Sequence, residues 1–153
     1  MSRQRQRALF EEYSARGEPL GWFERFDAEA GNDASQISWA DLHANVPLVQ
    51  WLEREKPVGQ GKRCLDVGCG LGDNAIALAS YGFVVTAFDI SATAVQWARR
   101  RFPRAGIDWQ VHDLLRAPSE WRGAFDLVVE VYTLQLLPPE LRPQAMAVLA
   151  SCV

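Results

Sequence analysis

Short apolar runs alternate with amphipathic stretches over residues 62–150, and glycine or capping residues mark most of the junctions. Arg63-Cys64-Leu65 runs into Asp66-Val67-Gly68-Cys69-Gly70-Leu71-Gly72, the pattern of a strand that ends in a glycine turn. Asp73 and Asn74 then supply capping chemistry for a helix through Ala75-Ile76-Ala77-Leu78-Ala79. Phe83 to Phe88 is a β-branched and aromatic run closing on Asp89, and Ser91 is placed to cap a helix reaching about Phe102. Ile107 to Val111 reads as a third strand ending at His112 and Asp113, Phe125 to Val131 as a fourth, and a last helix begins near Pro139 to Arg142. Strands alternating with helices predict a parallel sheet. Upstream, Trp39, Leu42, Val46 and Val49 fit one apolar helical stripe, and Glu29 to Gln36 reads as a loop turning at Gly31-Asn32-Asp33. The expected organisation is one domain, with residues 1–60 as an N-terminal helical cap and residues 61–153 as an α/β core.

Three glycines at alternate positions suit a backbone wrapped closely around a small molecule, and a carboxylate at the end of the next strand can accept both hydroxyl hydrogens of a ribose. Asp89 holds that position, 23 residues beyond Asp66. A dinucleotide fingerprint requires Gly-x-Gly-x-x-Gly, but counting on from Gly68 and Gly70 reaches Asp73, whose charge in the first helical turn would repel a diphosphate. A nucleoside ligand without phosphates fits better.

Gly68-x-Gly70-x-Gly72 after an acidic residue resembles the first motif of the class I S-adenosylmethionine-dependent methyltransferases. The resemblance covers about residues 62–150. It implies a Rossmann-like α/β fold, a parallel sheet in the order 3-2-1-4 with flanking helices, and S-adenosylmethionine as cofactor. It places Asp66 near the methionine amino group, the Gly68 to Gly72 backbone around the methionine and ribose, and Asp89 on the ribose hydroxyls with Ile90 against the adenine. Asp113 would accept from the adenine amino group beside Leu114, and Glu130 would face the methionine end and the acceptor. Trp22-Phe23-Glu24-Arg25-Phe26 with Ser38-Trp39 is similar to the amino-terminal portion of the thiopurine, thiol and halide methyltransferase group, in which a tryptophan-bearing segment closes over the cofactor. Trp22 and Trp39 are the matching positions, although Ser38 and Ala40 stand where that group carries a proline and an acidic residue. The seven-stranded sheet of the family implies that strands five to seven are missing from this chain, leaving the fourth strand as an open edge.

Composition narrows the partners. The net charge of −3 gives no general attraction to nucleic acid, and Tyr132-Thr133-Leu134-Gln135-Leu136-Leu137-Pro138 lacks the Asn/Asp-Pro-Pro-Tyr/Phe loop of amino-methylating DNA enzymes. Arg3, Arg5 and Arg7 read as a solvated, frayed terminus, and Arg99-Arg100-Arg101 as cations complementing the carbonyl end of a helix. No apolar run reaches the ~18 residues of a membrane span, no signal-peptide pattern opens the chain, and a cytoplasmic protein is expected. Three cysteines form neither a disulfide framework nor a metal site; buried thiols are the plain reading, and His43 and His112 are isolated. The function this reading favours is methyl transfer to a small-molecule acceptor, a thiol, a halide or similar, by in-line displacement, with Glu130 or Tyr132 as candidates to steer the acceptor. The alternatives are an inactive cofactor-binding module that pairs with another chain through its open edge, and a nucleotide-dependent oxidoreductase.

Overall fold

A computed structural model describes residues 3–153. The core is a four-stranded, wholly parallel sheet of β1 (Arg63–Val67), β2 (Val84–Asp89), β3 (Asp108–Val111) and β4 (Leu127–Glu130), in the order β3-β2-β1-β4. This is the Rossmann-like order that the motif implies. Around it lie α1 (Arg3–Ala15), α2 (Trp22–Glu29), α3 (Val46–Glu55), α4 (Asp73–Ser80), α5 (Ala92–Arg101) and α6 (Arg142–Cys152). Both β3 and β4 are edge strands.

The two faces of β1 follow from strand periodicity. Cys64 packs with Leu52, Leu78, Val85, Val95 and Trp109 on one side. Leu65 and Val67 pack with Phe88, Trp121, Phe125 and Leu149 on the other. A strand buried on both faces needs an almost unbroken apolar run, and the single buried polar member of β1 is Asp66, only 1% exposed. The helices start where their caps dictate: Ser91 Oγ accepts from Ala94 N–H, and Asn45 Oδ1 from Leu48 N–H with Pro47 in the first turn.

A third cluster joins α1 and α2 to α5 and the glycine loop through Leu9, Trp22, Phe26, Ile37, Leu71 and Trp97. Glu24 fastens this unit to the sheet domain by accepting from Ser91 Oγ (2.9 Å), Thr93 N–H (2.9 Å) and Thr93 Oγ1 (2.6 Å). A carboxylate thereby meets the unsatisfied N–H groups and the positive dipole end of α5. Its pKa is lowered: burial alone would raise it, and these hydrogen bonds outweigh that. Replacing Glu24 by Ala is expected to lower stability by about 2 kcal/mol, the scale for hydrogen bonds to a charged group. For a chain of this size that is about 4–8 °C in Tm, read by thermal melting at neutral pH; an unchanged Tm would mean that α2 is held by packing alone.

Several sequence expectations are corrected. The amino terminus is helical from Arg3, with Arg5 bridged to Glu29 at 2.5 Å and Arg7 to Glu11 at 2.8 Å, so the segment is no frayed tail; the side chain of Arg3 lies outside the described residues. The stripe Trp39, Leu42, Val46 and Val49 does not form, because helix begins only at Val46 and Leu42 is an exposed turn residue at φ 58°. The apolar face of α3 is instead Leu48, Trp51 and Leu52. The Glu29 to Gln36 loop does turn at Gly31 and Asn32, both at positive φ, and then closes into a single 3-10 turn over Ala34–Gln36. No helix of the described residues is long and apolar enough to cross a membrane.

Candidate cofactor pocket

The chain from β1 to α4 folds back over the end of β2. Cys69 N–H donates to Phe88 O, Gly72 N–H to Cys69 O, and Gly70 N–H to Asp89 Oδ2, each at 2.9 Å. Asp89 Oδ1 accepts from Ser91 N–H at 2.9 Å, so this one carboxylate ties the glycine loop to the start of α5. Arg101 clamps the loop from outside: its guanidinium forks onto Asp73 at 2.7 and 2.8 Å and donates to Leu71 O at 2.6 Å. Asp73 is therefore an ion-pair partner and not a cap. The N-cap of α4 is Gly72 in the left-handed region, and Asn74 Oδ1 accepts from Asn45 N–H at 2.8 Å. The Arg99-Arg100-Arg101 cluster is likewise more than a dipole complement, since Arg99 donates to Trp109 O and Arg100 to Asn32 Oδ1.

A pocket opens above this loop at the carboxyl ends of β1, β2 and β3, where ligands of open α/β sheets bind. Of the residues singled out from the sequence, Trp39, Gly68, Gly70, Asp89, Ile90, Asp113 and Leu114 line it together. Trp22 does not: it is 2% exposed, stacked on Phe23 and edge-on to Phe26 and Trp39, and serves as the centre of the helical cluster. Gly72 faces inward, where an added Cβ would stand 2.5 Å from the ring of Trp109. Asp66 lies below the loop, accepting from Ala75 N–H, with Oδ2 lacking any partner among the described residues. Glu130 is turned away, because its carboxylate accepts from Thr133 N–H and, at 2.8 Å, Leu134 N–H; it lines the groove along β4 instead. Sequence reasoning missed Phe23 and Asp27 of α2 and His43 on the pocket wall, where Tyr132, a candidate from the sequence, also stands. Tyr132 stands at φ 64°, a left-handed backbone that a non-glycine residue rarely adopts. Cys64, Cys69 and Cys152 are buried free thiols, as the sequence suggests.

A family model described as a methyltransferase domain matches residues 64–153. The chain belongs to the class I S-adenosylmethionine-dependent methyltransferase family. The domain is similar to the ubiquinone biosynthesis O-methyltransferase of Thiobacillus denitrificans, with 33% identity over 100 residues that cover 63% of this chain and 43% of that protein. It thus spans less than half the length of this curated relative. Among solved structures it resembles a TehB-like SAM-dependent methyltransferase from Corynebacterium glutamicum, with a TM-score of 0.59 and 25% identity over 95% of this chain and 67% of that one. It shares the fold of the magnesium protoporphyrin IX methyltransferase of Synechocystis, with a TM-score of 0.68 and 22% identity over 86% of this chain and 70% of that one.

The methyltransferase domain surrounds its pocket with acid. Glu24, Asp27, Asp66 and Asp89 form no ion pair among the described residues. Burial pushes Asp66 up to about 7, with the charge of Asp89 adding to it. Burial likewise pushes Asp27 up to about 7, against the hydrogen bond of Ser91 and with the charges of Asp89 and Glu24 adding to it. Asp89 and the thiol of Cys69 are also raised, chiefly by burial. A carboxyl whose folded pKa exceeds its ordinary 3.8 binds its proton more tightly when folded, so stability falls as pH rises from about 4 through 7 and stays low above. The ligand-free domain is expected to melt higher at pH 5.5 than at pH 8, and Asp27→Asn to flatten that slope by raising Tm at pH 8. Thermal melts across this range test it; a Tm that climbs toward pH 8 in both forms would remove the buried carboxyls as the cause.

Proposed function

We propose that this domain binds S-adenosylmethionine in the pocket above Gly68 to Gly72 and transfers its methyl group to a small-molecule acceptor. The observation that carries this reading is the unpaired acid around a glycine loop whose middle member, Gly70, has nothing within 4 Å of where a Cβ would stand. A ligand bearing positive charge and a ribose fits such walls; a diphosphate does not. The S-adenosylmethionine of this family, when bound, supplies a methyl on a positively charged sulfur as the electrophile. Asp89, with Ile90 beside it, is the residue for the ribose hydroxyls. Asp113, whose Oδ1 accepts from Leu115 N–H at 2.9 Å and whose Oδ2 lies 3.9 Å from Arg116 Nε, is the residue for the adenine amino group. The face of Trp39 suits a sulfonium. Asp66, beneath the loop, holds the backbone that carries the methionine end. With the electrophile already activated, alignment of acceptor and methyl does most of the work, up to about 7–11 kcal/mol in well-oriented systems.

Calorimetry with S-adenosylhomocysteine and with NAD tests the cofactor: only the first is expected to bind, and Asp89→Ala to weaken it by about 1.5–3 kcal/mol. Binding of NAD instead would overturn the assignment. For the acceptor, the O-methyltransferase name of the relative at 33% identity favours a hydroxyl over the thiol or halide that the amino-terminal resemblance implies. A hydroxyl acceptor needs a base. His43 stands on the pocket wall with Nδ1 2.9 Å from Ala44 O; as an N–H donor there, it leaves Nε2 to take a proton. His43→Ala is expected to cut turnover of a phenolic acceptor about 100-fold with S-adenosylhomocysteine affinity unchanged. Undiminished turnover would return the reading to an acceptor that arrives as an anion.

A second reading rests on β4, an edge strand flanked by a groove lined by Pro47, Trp51 and Gln135. An uncovered strand edge is a template for another chain. Self-association at micromolar concentration is the expected result in size-exclusion chromatography with light scattering, and a stable monomer would rule it out.

A further inference from the structure

Asp27 is the least explained polar group of the molecule. It sits in the second turn of α2, outside the residues that match the family model, and is 4% exposed. Its Oδ1 is fully enclosed and has no hydrogen-bond partner among the described residues. The hydroxyl that acts on this carboxyl is that of Ser91, which it shares with Glu24, whose Oε2 accepts from Ser91 Oγ at 2.9 Å. A buried acceptor oxygen without a donor costs stability. Yet Asp27 is part of the pocket wall, with Asp89 close enough for the two charges to act on each other.

Resting on the cofactor reading above, we infer that Asp27 is a second ribose-binding residue: Asp89 and Asp27 divide the vicinal diol, each accepting one hydroxyl hydrogen. The two carboxylates differ in what they lack. Both oxygens of Asp89 already accept a backbone N–H, from Gly70 and from Ser91, so its place is set by the protein. Asp27 Oδ1 has an empty acceptor site that the ligand-free protein encloses, so a ribose hydroxyl completes it once the carboxyl turns toward the pocket that Asp27 lines. The arrangement also says what the amino-terminal helices contribute to recognition: α2 brings one ligand-binding carboxylate through Asp27 and is held in place by Glu24, one turn earlier on the same helix. A ligand that lacks the diol would leave Asp27 buried and unpaired.

The test is calorimetry of the full chain with S-adenosylhomocysteine and with its 2′,3′-dideoxyribose analogue. Asp27→Leu removes the acceptor while filling its space, and thermal melting confirms that the variant is folded. The expected result is a loss of about tenfold or more toward S-adenosylhomocysteine and less than about twofold toward the dideoxy analogue. Asp27→Asn keeps one acceptor oxygen in the same shape and should lose less than Asp27→Leu. An equal loss toward both ligands would overturn the assignment by showing that Asp27 acts only through the shape of the pocket, and an unchanged affinity for S-adenosylhomocysteine would remove Asp27 from the site. If the unaltered chain binds neither ligand, the cofactor reading itself falls, an outcome distinct from either of these.

Discussion

Replacing Gly70 by valine is expected to abolish S-adenosylhomocysteine binding, a loss of more than about 100-fold, while the far-ultraviolet circular dichroism stays that of a folded protein. Gly70 adopts φ +50°, and a Cβ built there meets no protein atom within 4 Å. The branched side chain would project into the space assigned to the cofactor, and the strained backbone costs only about 1–3 kcal/mol. Gly72→Val two residues later is the control with the opposite outcome. Its Cβ would lie 2.5 Å from the Trp109 ring and 3.1 Å from Ala98, between β3 and α5, so the fold itself should fail. Retained binding by Gly70→Val would reduce the glycine run to a tight turn.

Phe26→Ala is expected to cost about 3–5 kcal/mol, as for other buried aromatics, and about 10 °C in Tm. Phe26 is fully buried, stacked on Trp39 with ring centroids 4.6 Å apart and edge-on to Trp22 at 6.2 Å. The pocket feels this deletion although Phe26 does not line it, because Trp39 loses the ring behind it. Affinity for S-adenosylhomocysteine should therefore fall along with the Tm. Differential scanning fluorimetry with calorimetry measures both; a stable variant would mean that the amino-terminal helices do not share a core with the glycine loop.

The sheet was legible because its signals are local. Phe83 to Asp89 is a β-branched run, Ser91 is a cap immediately after it, and the four strands fall in the order that the glycine motif implies. The strands themselves are shorter than the apolar runs, β4 by one residue at its end and two at its start, where Phe125 N–H donates to Cys152 O of α6 and Asp126 N–H to Arg63 O at the start of β1. The pocket was legible where it is built from strand ends, as with Asp89, Ile90, Asp113 and Leu114, and at Trp39 through the amino-terminal resemblance. Trp22 and Asp27 show the limit. They are five residues apart on one short helix, and which of them meets the pocket depends on how that helix docks onto α5, a long-range fact that no local pattern carries. Glu130 shows another: a carboxylate at a strand end can be consumed by the next turn, and the identity of Thr133 and Leu134 does not announce that their N–H groups will claim it.

The clasp between Glu24 and the first turn of α5 has a consequence for how the chain acquires its shape. The partners are separated by 67 and 69 residues, so closing that contact requires the whole of β1, α4 and β2 to be present and paired. During synthesis α1 and α2 emerge before the sheet, and the surface that receives them is made only after β1, α4 and β2. The amino-terminal helices must wait, with Trp22 and Phe26 uncovered, until α5 leaves the ribosome. Until then the apolar surface of α1 and α2 is open to chaperones and to mispairing.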